Sequence, residues 1–412
     1  MLLSEKQAIL RRYFRMTLYK REEKMMKIET LYDNVEQYVI EMRRWFHSYP
    51  ELSLEEKKTS DKIKEELDKM GIEYEELKPN YGIMATINGE KKGKTIVVRG
   101  DIDALPVEEK TGLPFASKHK GVMHACGHDA HIAMLLGTAK VLNEIKEELQ
   151  GRVFLLFQVA EEIGKGVEEA IDYIEKNGGT DQVIGLHIWS TLPEGEILLI
   201  PDSVFAGGSG FECRIHGQGG HGARPDLVND PIKAACDLVL QLSSIPSNYY
   251  DVLDHSVVSI GKIEGGTLGN IFPSEAMIAG TTRYYKKGGQ RKLEAIMKNM
   301  CEGVGKIHNL DIELIFTGEV IPVCNDKEMI ERARQLVKDV KGLQVSPQTE
   351  PICAGDDFGY IIDKYKGFYG ILGAGKKEEY NYPQHHCQFT IQEEALRKGS
   401  EFMTRYVYDF LK

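Results

Sequence analysis

The chain has 412 residues, with 52 basic against 63 acidic side chains, a formal net charge of −11 and seven cysteines. One hydrophobic core stops growing at roughly 250–300 residues, so two domains, or one carrying a large insertion, are expected. A composition 42% hydrophobic and 28% charged is globular, the acidic balance argues against a sequence-independent nucleic-acid binder, and no apolar run approaches the ~18 residues of a membrane span.

Residues 1–30 carry eight Lys/Arg and four Asp/Glu, a basic start to an acidic protein. Ile9, Leu10, Tyr13, Phe14 and Leu18 follow helical spacing, without the continuous apolar stretch of a signal peptide. The segment reads as an appended helix or an upstream start ahead of Met25-Met26, with a membrane-surface or partner-binding helix as the alternative. Leu31, Val35, Tyr38, Met42 and Trp45 then mark an amphipathic helix ending before Pro50. Short β-rich runs are expected at Gly82–Ile87 and Thr95–Arg99, a helix from His128 to about Leu149, and buried strands at Gly151–Val159 and Val183–Trp189. This is α/β grammar.

At Ala206-Gly-Gly-Ser-Gly210 the composition suggests a flexible joint. Beyond it come a strand at Gly210–Ile215, a helix at Asp230–Leu242, strands at Ser256–Ile263 and Glu275–Tyr284, a helix at Gln290–Ile307 and a strand at Asp311–Phe316. That order fits a four-stranded ferredoxin-like α+β sheet backed by two helices. The expected layout is an extension at 1–30, a discontinuous α/β main domain at 31–206 and 319–412, and an inserted domain at 207–318. The main domain is expected to hold a mixed sheet with helices on both faces. Gly370-Ile-Leu-Gly-Ala-Gly-Lys-Lys377 has Lys where a phosphate-binding loop needs Ser or Thr, and reads as a glycine-rich turn. No G-x-S-x-G elbow supports a serine hydrolase.

An odd number of cysteines without a C-x-x-C pair is no disulfide framework, so a reducing, cytoplasmic setting is expected. Cys126 stands apart. It lies in His124-Ala-Cys-Gly-His128-Asp129-Ala-His131, a density of histidine far above a chain with 12 in total, and the other six cysteines read as ordinary buried thiols. Thiolate with imidazole suits Zn²⁺, Ni²⁺ or Co²⁺, with Mn²⁺ if carboxylates join. Glu161-Glu162 follows a buried strand, where one carboxylate can bind metal while its neighbour handles a proton. His187, inside an apolar strand, and His385-His386 would singly be read as structural. With Cys126, His128 and Glu162 they complete a ligand set sufficient for two ions that share a bridging ligand.

Arg99-Gly-Asp-Ile-Asp-Ala-Leu-Pro106, the 124–131 cluster, Glu161-Glu162, Gly185-Leu-His-Ile-Trp189, Gly217-Gln-Gly-Gly-His-Gly222 and Asp356-Asp-Phe358 occur in that order. Together they resemble the amidohydrolases of peptidase family M20, in the branch of N-acyl-amino-acid, hippurate and auxin-conjugate hydrolases. The resemblance runs from about residue 40 to the C-terminus. It implies a two-metal catalytic domain and an inserted lid through which two chains form a homodimer. Cys126, His128, Glu162, His187 and His385 would be the ligands, with His386 open as the alternative to His385. Glu161 would be general base and then acid, and His221 would steady the oxyanion of a neighbouring subunit. Asn270 and Arg283 would bind the substrate's carbonyl or carboxylate. The implied reaction is amide hydrolysis of a small N-acyl amino acid by metal-activated water. A dipeptidase or carboxypeptidase on the same fold, and a catalytically silent binding protein, are the competing readings.

Overall fold

A computed structural model describes residues 26–412, so the expected N-terminal helix lies almost wholly outside the described residues. The chain forms two compact units. The first joins residues 26–201 with Asn325–Thr349 and Ile361–Lys412; the second comprises Asp202–Cys324 and Glu350–Tyr360.

The first unit is built on an eight-stranded mixed sheet. Its middle consists of four mutually parallel strands, in the order Gln150–Gln158, Lys91–Asp101, Gln182–Pro193 and Gly367–Gly375. Continuous apolar runs such as Val153–Phe157 are buried on both faces, as central parallel strands require. The helix His128–Glu144 is buried at 14 of its 17 residues and packs against the C-terminal helix Glu394–Leu411. It ends earlier than its apolar pattern suggests, and a 3₁₀ turn at Lys146–Glu148 carries the chain on to the next strand. Because the four central strands run the same way, the residues following each of them gather along one edge of the sheet, where open α/β folds place their sites.

The charged sequence Glu73–Leu77 forms the outermost strand beside Gly82–Asn88, with most of its side chains outside the core. The expected glycine-rich turn at Gly370–Lys377 is instead largely strand: Gly367–Gly375 is buried throughout and pairs with Gln182–Pro193. Close approach explains the glycines, since a Cβ at Gly373 would lie 2.0 Å from the Pro193 carbonyl and one at Gly375 2.0 Å from that of Ser190.

The second unit carries a four-stranded antiparallel sheet in the order Ser256–Gly265, Glu275–Tyr284, Gly207–His216, Asp311–Val320, with helices Pro231–Ser243 and Gly289–His308. Asp230 caps the first helix by accepting the Ile232 N–H at 2.9 Å, and Pro231 fills the first helical position. Phe211, Cys213 and Ile215 from the strands meet Leu238, Leu293 and Met297 from the helices in its core. The glycines read as a joint at 206–210 are strand residues: Gly207 makes room for Pro322 and Tyr284, and Gly208 for Arg283. All seven cysteines are free, but they are not uniformly buried: Cys236 and Cys353 are exposed, and Cys324 and Cys387 half-buried. No helix among the described residues is long and apolar enough to cross a membrane.

Candidate metal centre

Donor groups converge at the carboxyl ends of the parallel strands. Cys126 and His128 flank Gly127, whose φ of 94° turns the loop into the helix His128–Glu144. A side chain there would strike Ile188, with a Cβ 2.5 Å from its Cγ2. Glu161 and Glu162 follow the strand Gln150–Gln158 in a single 3₁₀ turn entered through Ala160 at φ 57°. His187 projects from the strand Gln182–Pro193, and His385 follows Gly367–Gly375.

Several overlapping sets of donors lie within 4.8 Å of one another, one of them His128, Glu161 and Glu162. Two more are Cys126, His128 and His187, and Cys126, Glu162 and His385. Cys126 is common to both. Its Sγ lies 3.5 Å from Nε2 of His187, and Nε2 of His385 lies 3.5 Å from Glu162. His385, with φ 66°, donates its backbone N–H to Ala125 O at 2.7 Å. The next side chain turns away: His386 stacks on Tyr382 at 4.4 Å and its Nδ1 accepts the Gln388 N–H at 3.0 Å. Glu161 stands beside the cluster, its carboxylate 4.0 Å from Nε2 of His128.

The imidazoles are oriented by their other nitrogens. Nδ1 of His187 donates to Ile188 O at 2.7 Å and Nδ1 of His128 to Asp103 at 3.1 Å, which leaves both Nε2 atoms facing the donor cluster. Asp103 also accepts from the Ser53 hydroxyl at 2.7 Å and from the Glu162 N–H at 3.0 Å. Sequence reasoning assigned Asp103 no role. The available signal was the alternation Arg99, Asp101, Asp103 at the end of a buried strand, which puts three charges where apolar residues are expected.

Electrostatically the cluster favours positive charge. Burial pulls the His128 pKa down, but Asp101, Asp103 and Glu162 outweigh it and raise it to about 10. Burial, with Asp103 and Asp101 adding to it, raises Glu162 to about 7 against the opposing pull of His128. The Cys126 thiol is pushed well up by burial and then by Glu162 and Glu161, so a thiolate here calls for a cation. Nε2 of His128 and Oε1 of Glu162 are buried without a hydrogen-bond partner among the described residues. Such atoms cost about 1–3 kcal/mol each, a cost that cation ligation removes. The soft and hard donors together fit borderline divalent ions.

The second unit holds the other sequence-singled residues. The short pairing of Gly220–His221 with Ile271–Phe272 sets His221 opposite Ile271, next to Asn270. The Gly222 N–H donates to Asn270 O at 2.8 Å. Nδ1 of His221 accepts the Ala223 N–H at 3.0 Å, so Nε2 carries the proton on this exposed ring. Arg283, in the strand Glu275–Tyr284, donates from Nη1 to Thr282 O at 2.7 Å.

The family described as Peptidase family M20/M25/M40 matches residues 97–409. The N-acetyl-L-cysteine deacetylase of Bacillus subtilis is 36% identical over 384 residues, 93% of this chain and 90% of that protein. Thermostable carboxypeptidase 1 of Saccharolobus solfataricus is also 36% identical, over 89% of this chain and 93% of its own length. Among solved structures, a dinuclear metal-binding peptidase of family M20 from Bacillus subtilis superposes with a TM-score of 0.81 at 32% identity, covering 92% of this chain and 99% of that one.

Proposed function

The chain belongs to peptidase family M20/M25/M40, and from that premise we propose that it is a metal-dependent amidohydrolase that cleaves the amide bond of N-acyl amino acids. The observation that carries this reading is the pair of donor sets sharing Cys126, with Glu161 at their edge. Cys126, His128, Glu162, His187 and His385 would hold two divalent ions, Zn²⁺, Mn²⁺, Ni²⁺ or Co²⁺, with the Cys126 thiolate common to both. Such ions, when bound, polarise an acyl carbonyl and lower the pKa of water towards roughly 7.

The chain's own residues supply the rest. Glu161 takes the proton of the attacking water and returns it to the departing amine. Glu162, one residue on and held by its N–H to Asp103, is committed to the donor set, so the two carboxylates divide their tasks. From the second unit, the Nε2–H of His221 would reach the active site of a neighbouring subunit and donate to the carbonyl oxygen as charge develops on it, a contact worth about 10²–10³ in rate. Asn270, adjacent to His221 across the short ladder, binds the same carbonyl. Arg283 pairs with the free carboxylate of the amino-acid half, where a guanidinium fits bidentately. Exposed Leu268 and Ile271 beside Asn270 support contact with a second copy, and a homodimer through the second unit is part of this reading. Seven free thiols support a cytoplasmic site.

The test is a hydrolysis panel of N-acetyl and N-benzoyl amino acids beside dipeptides and carboxyl-blocked peptides, with Mn²⁺, Zn²⁺, Co²⁺ or Ni²⁺ added. Release of free amino acid from the acyl substrates is the expected result. Turnover confined to peptides would move the protein to the carboxypeptidase side of its relatives. No hydrolysis, with less than one ion per chain, would leave only a binding role.

A further inference from the structure

His131 is 2% exposed and packs against the rings of both His128 and His187, at centroid distances of 5.4 and 4.7 Å. Its position beside Asp101 and His128 makes it look like a further metal ligand. Its hydrogen bonds say otherwise. Nε2 accepts the backbone N–H of Ile188 at 2.8 Å, and Nδ1 donates to Asp101. Both nitrogens are committed, so no lone pair is left for an ion. Asp101 is fixed in turn by Nη1 of Arg99 at 2.7 Å, and Arg99 is anchored to Gln158 at 3.0 Å and to the Tyr369 hydroxyl at 2.9 Å.

What this chain holds is one residue's main chain. Pairing between Lys91–Asp101 and Gln182–Pro193 ends at Arg99 with Gly185, so Ile188 lies beyond that ladder. An imidazole from the neighbouring helix takes its N–H instead. The Ile188 carbonyl accepts from Nδ1 of His187 at 2.7 Å and from Nε2 of Gln384, one residue before His385, at 3.0 Å. The residue gripped by His131 therefore fixes the tautomer and direction of His187 and tethers the segment that carries His385.

We propose that His131 is a positioning residue of the metal centre, acting through the main chain of Ile188 on His187 and His385. The inference rests on the metal-centre reading above and adds a residue that binds no metal itself.

Two substitutions separate this role from simple packing. In His131→Asn the amide nitrogen replaces Nδ1 and keeps the link to Asp101, but nothing reaches the Ile188 N–H. In His131→Gln the amide oxygen reaches the position of Nε2 and keeps that acceptor. Binding of Zn²⁺ and Mn²⁺ is measured by competition with a chelator, and hydrogen exchange at the Ile188 amide on the metal-free proteins. His131→Asn is expected to bind metal about 10–100-fold more weakly and to exchange faster at Ile188, while His131→Gln restores most of both. Equal losses in the two variants, or wild-type binding and exchange in His131→Asn, overturn the proposal. Wild-type protein that binds no metal overturns the metal-centre reading instead, and the Ile188 amide still reports on the clamp.

Discussion

Asp103 holds His128 and the backbone of Glu162 at once, one carboxylate oxygen on Nδ1 of the imidazole at 3.1 Å and the other on the peptide N–H at 3.0 Å. A single buried side chain thereby ties the start of one helix to the turn after a neighbouring strand. Asp103→Ala frees the His128 ring and leaves a buried N–H unpaired, at about 1–3 kcal/mol. Metal affinity is expected to fall about 10–100-fold while the far-ultraviolet spectrum stays native. Chelator competition with circular dichroism checks both, and an unchanged affinity would remove Asp103 from the site.

Glu161 and Glu162 should separate cleanly. Glu161→Gln removes the proton acceptor but none of the five donors, so kcat is expected to drop about 10²–10⁴-fold with metal content unchanged. Glu162→Gln removes a donor shared with Cys126 and His385 and should lose metal as well as turnover. Metal analysis of each purified variant beside its kinetics distinguishes the two. Full activity in Glu161→Gln would sink the general-base assignment.

Much of this centre was legible in the sequence because its chemistry is local. The 124–131 cluster and the Glu-Glu pair bring unusual residue types within a few positions, and alternating strands and helices leave few ways to assemble them. The choice between His385 and His386 was not legible, since it depends on the left-handed backbone at His385 that sends neighbouring side chains apart. Asp103 is not legible either, because a buried carboxylate shows its worth only through partners distant in the chain. The strand Gly367–Gly375 is hidden for a related reason: its glycines answer to the backbone of the adjacent strand, which composition does not reveal.

The crowding at these glycines sets a stability effect. A Cβ on Gly373 would sit 2.0 Å from the Pro193 carbonyl of the adjacent strand, and backbone cannot swing aside as a flexible side chain does. Gly373→Ala should destabilise by about 1–3 kcal/mol or more. Gly303→Ala is the contrast: this glycine is exposed in the helix Gly289–His308 and nothing lies within 4 Å of its Cβ position. There alanine should stabilise by about 0.5–1 kcal/mol. Denaturant unfolding followed separately for each unit tests both signs, and a harmless Gly373→Ala would mean the strand has slack.

Glu393 gives a pH dependence outside the donor cluster. Just ahead of the C-terminal helix, its carboxylate takes Arg43 at 3.2 Å and Arg44 at 3.0 and 2.5 Å, joining that helix to the one over residues 26–48. Burial alone would raise its pKa, but hydrogen bonds from Arg44 and then the charge of Arg43 lower it below the usual 4.5. A depressed folded-state pKa means the pairing stabilises above the unfolded value and is lost as pH falls through the folded one. Glu393→Gln should therefore cost on the order of 1 kcal/mol near pH 7, and the gap to wild type should close only once the pH drops below about 4.5. Urea midpoints of both proteins between pH 7 and pH 3 measure it. A difference that persists at the acid end would assign the loss to packing and not to charge.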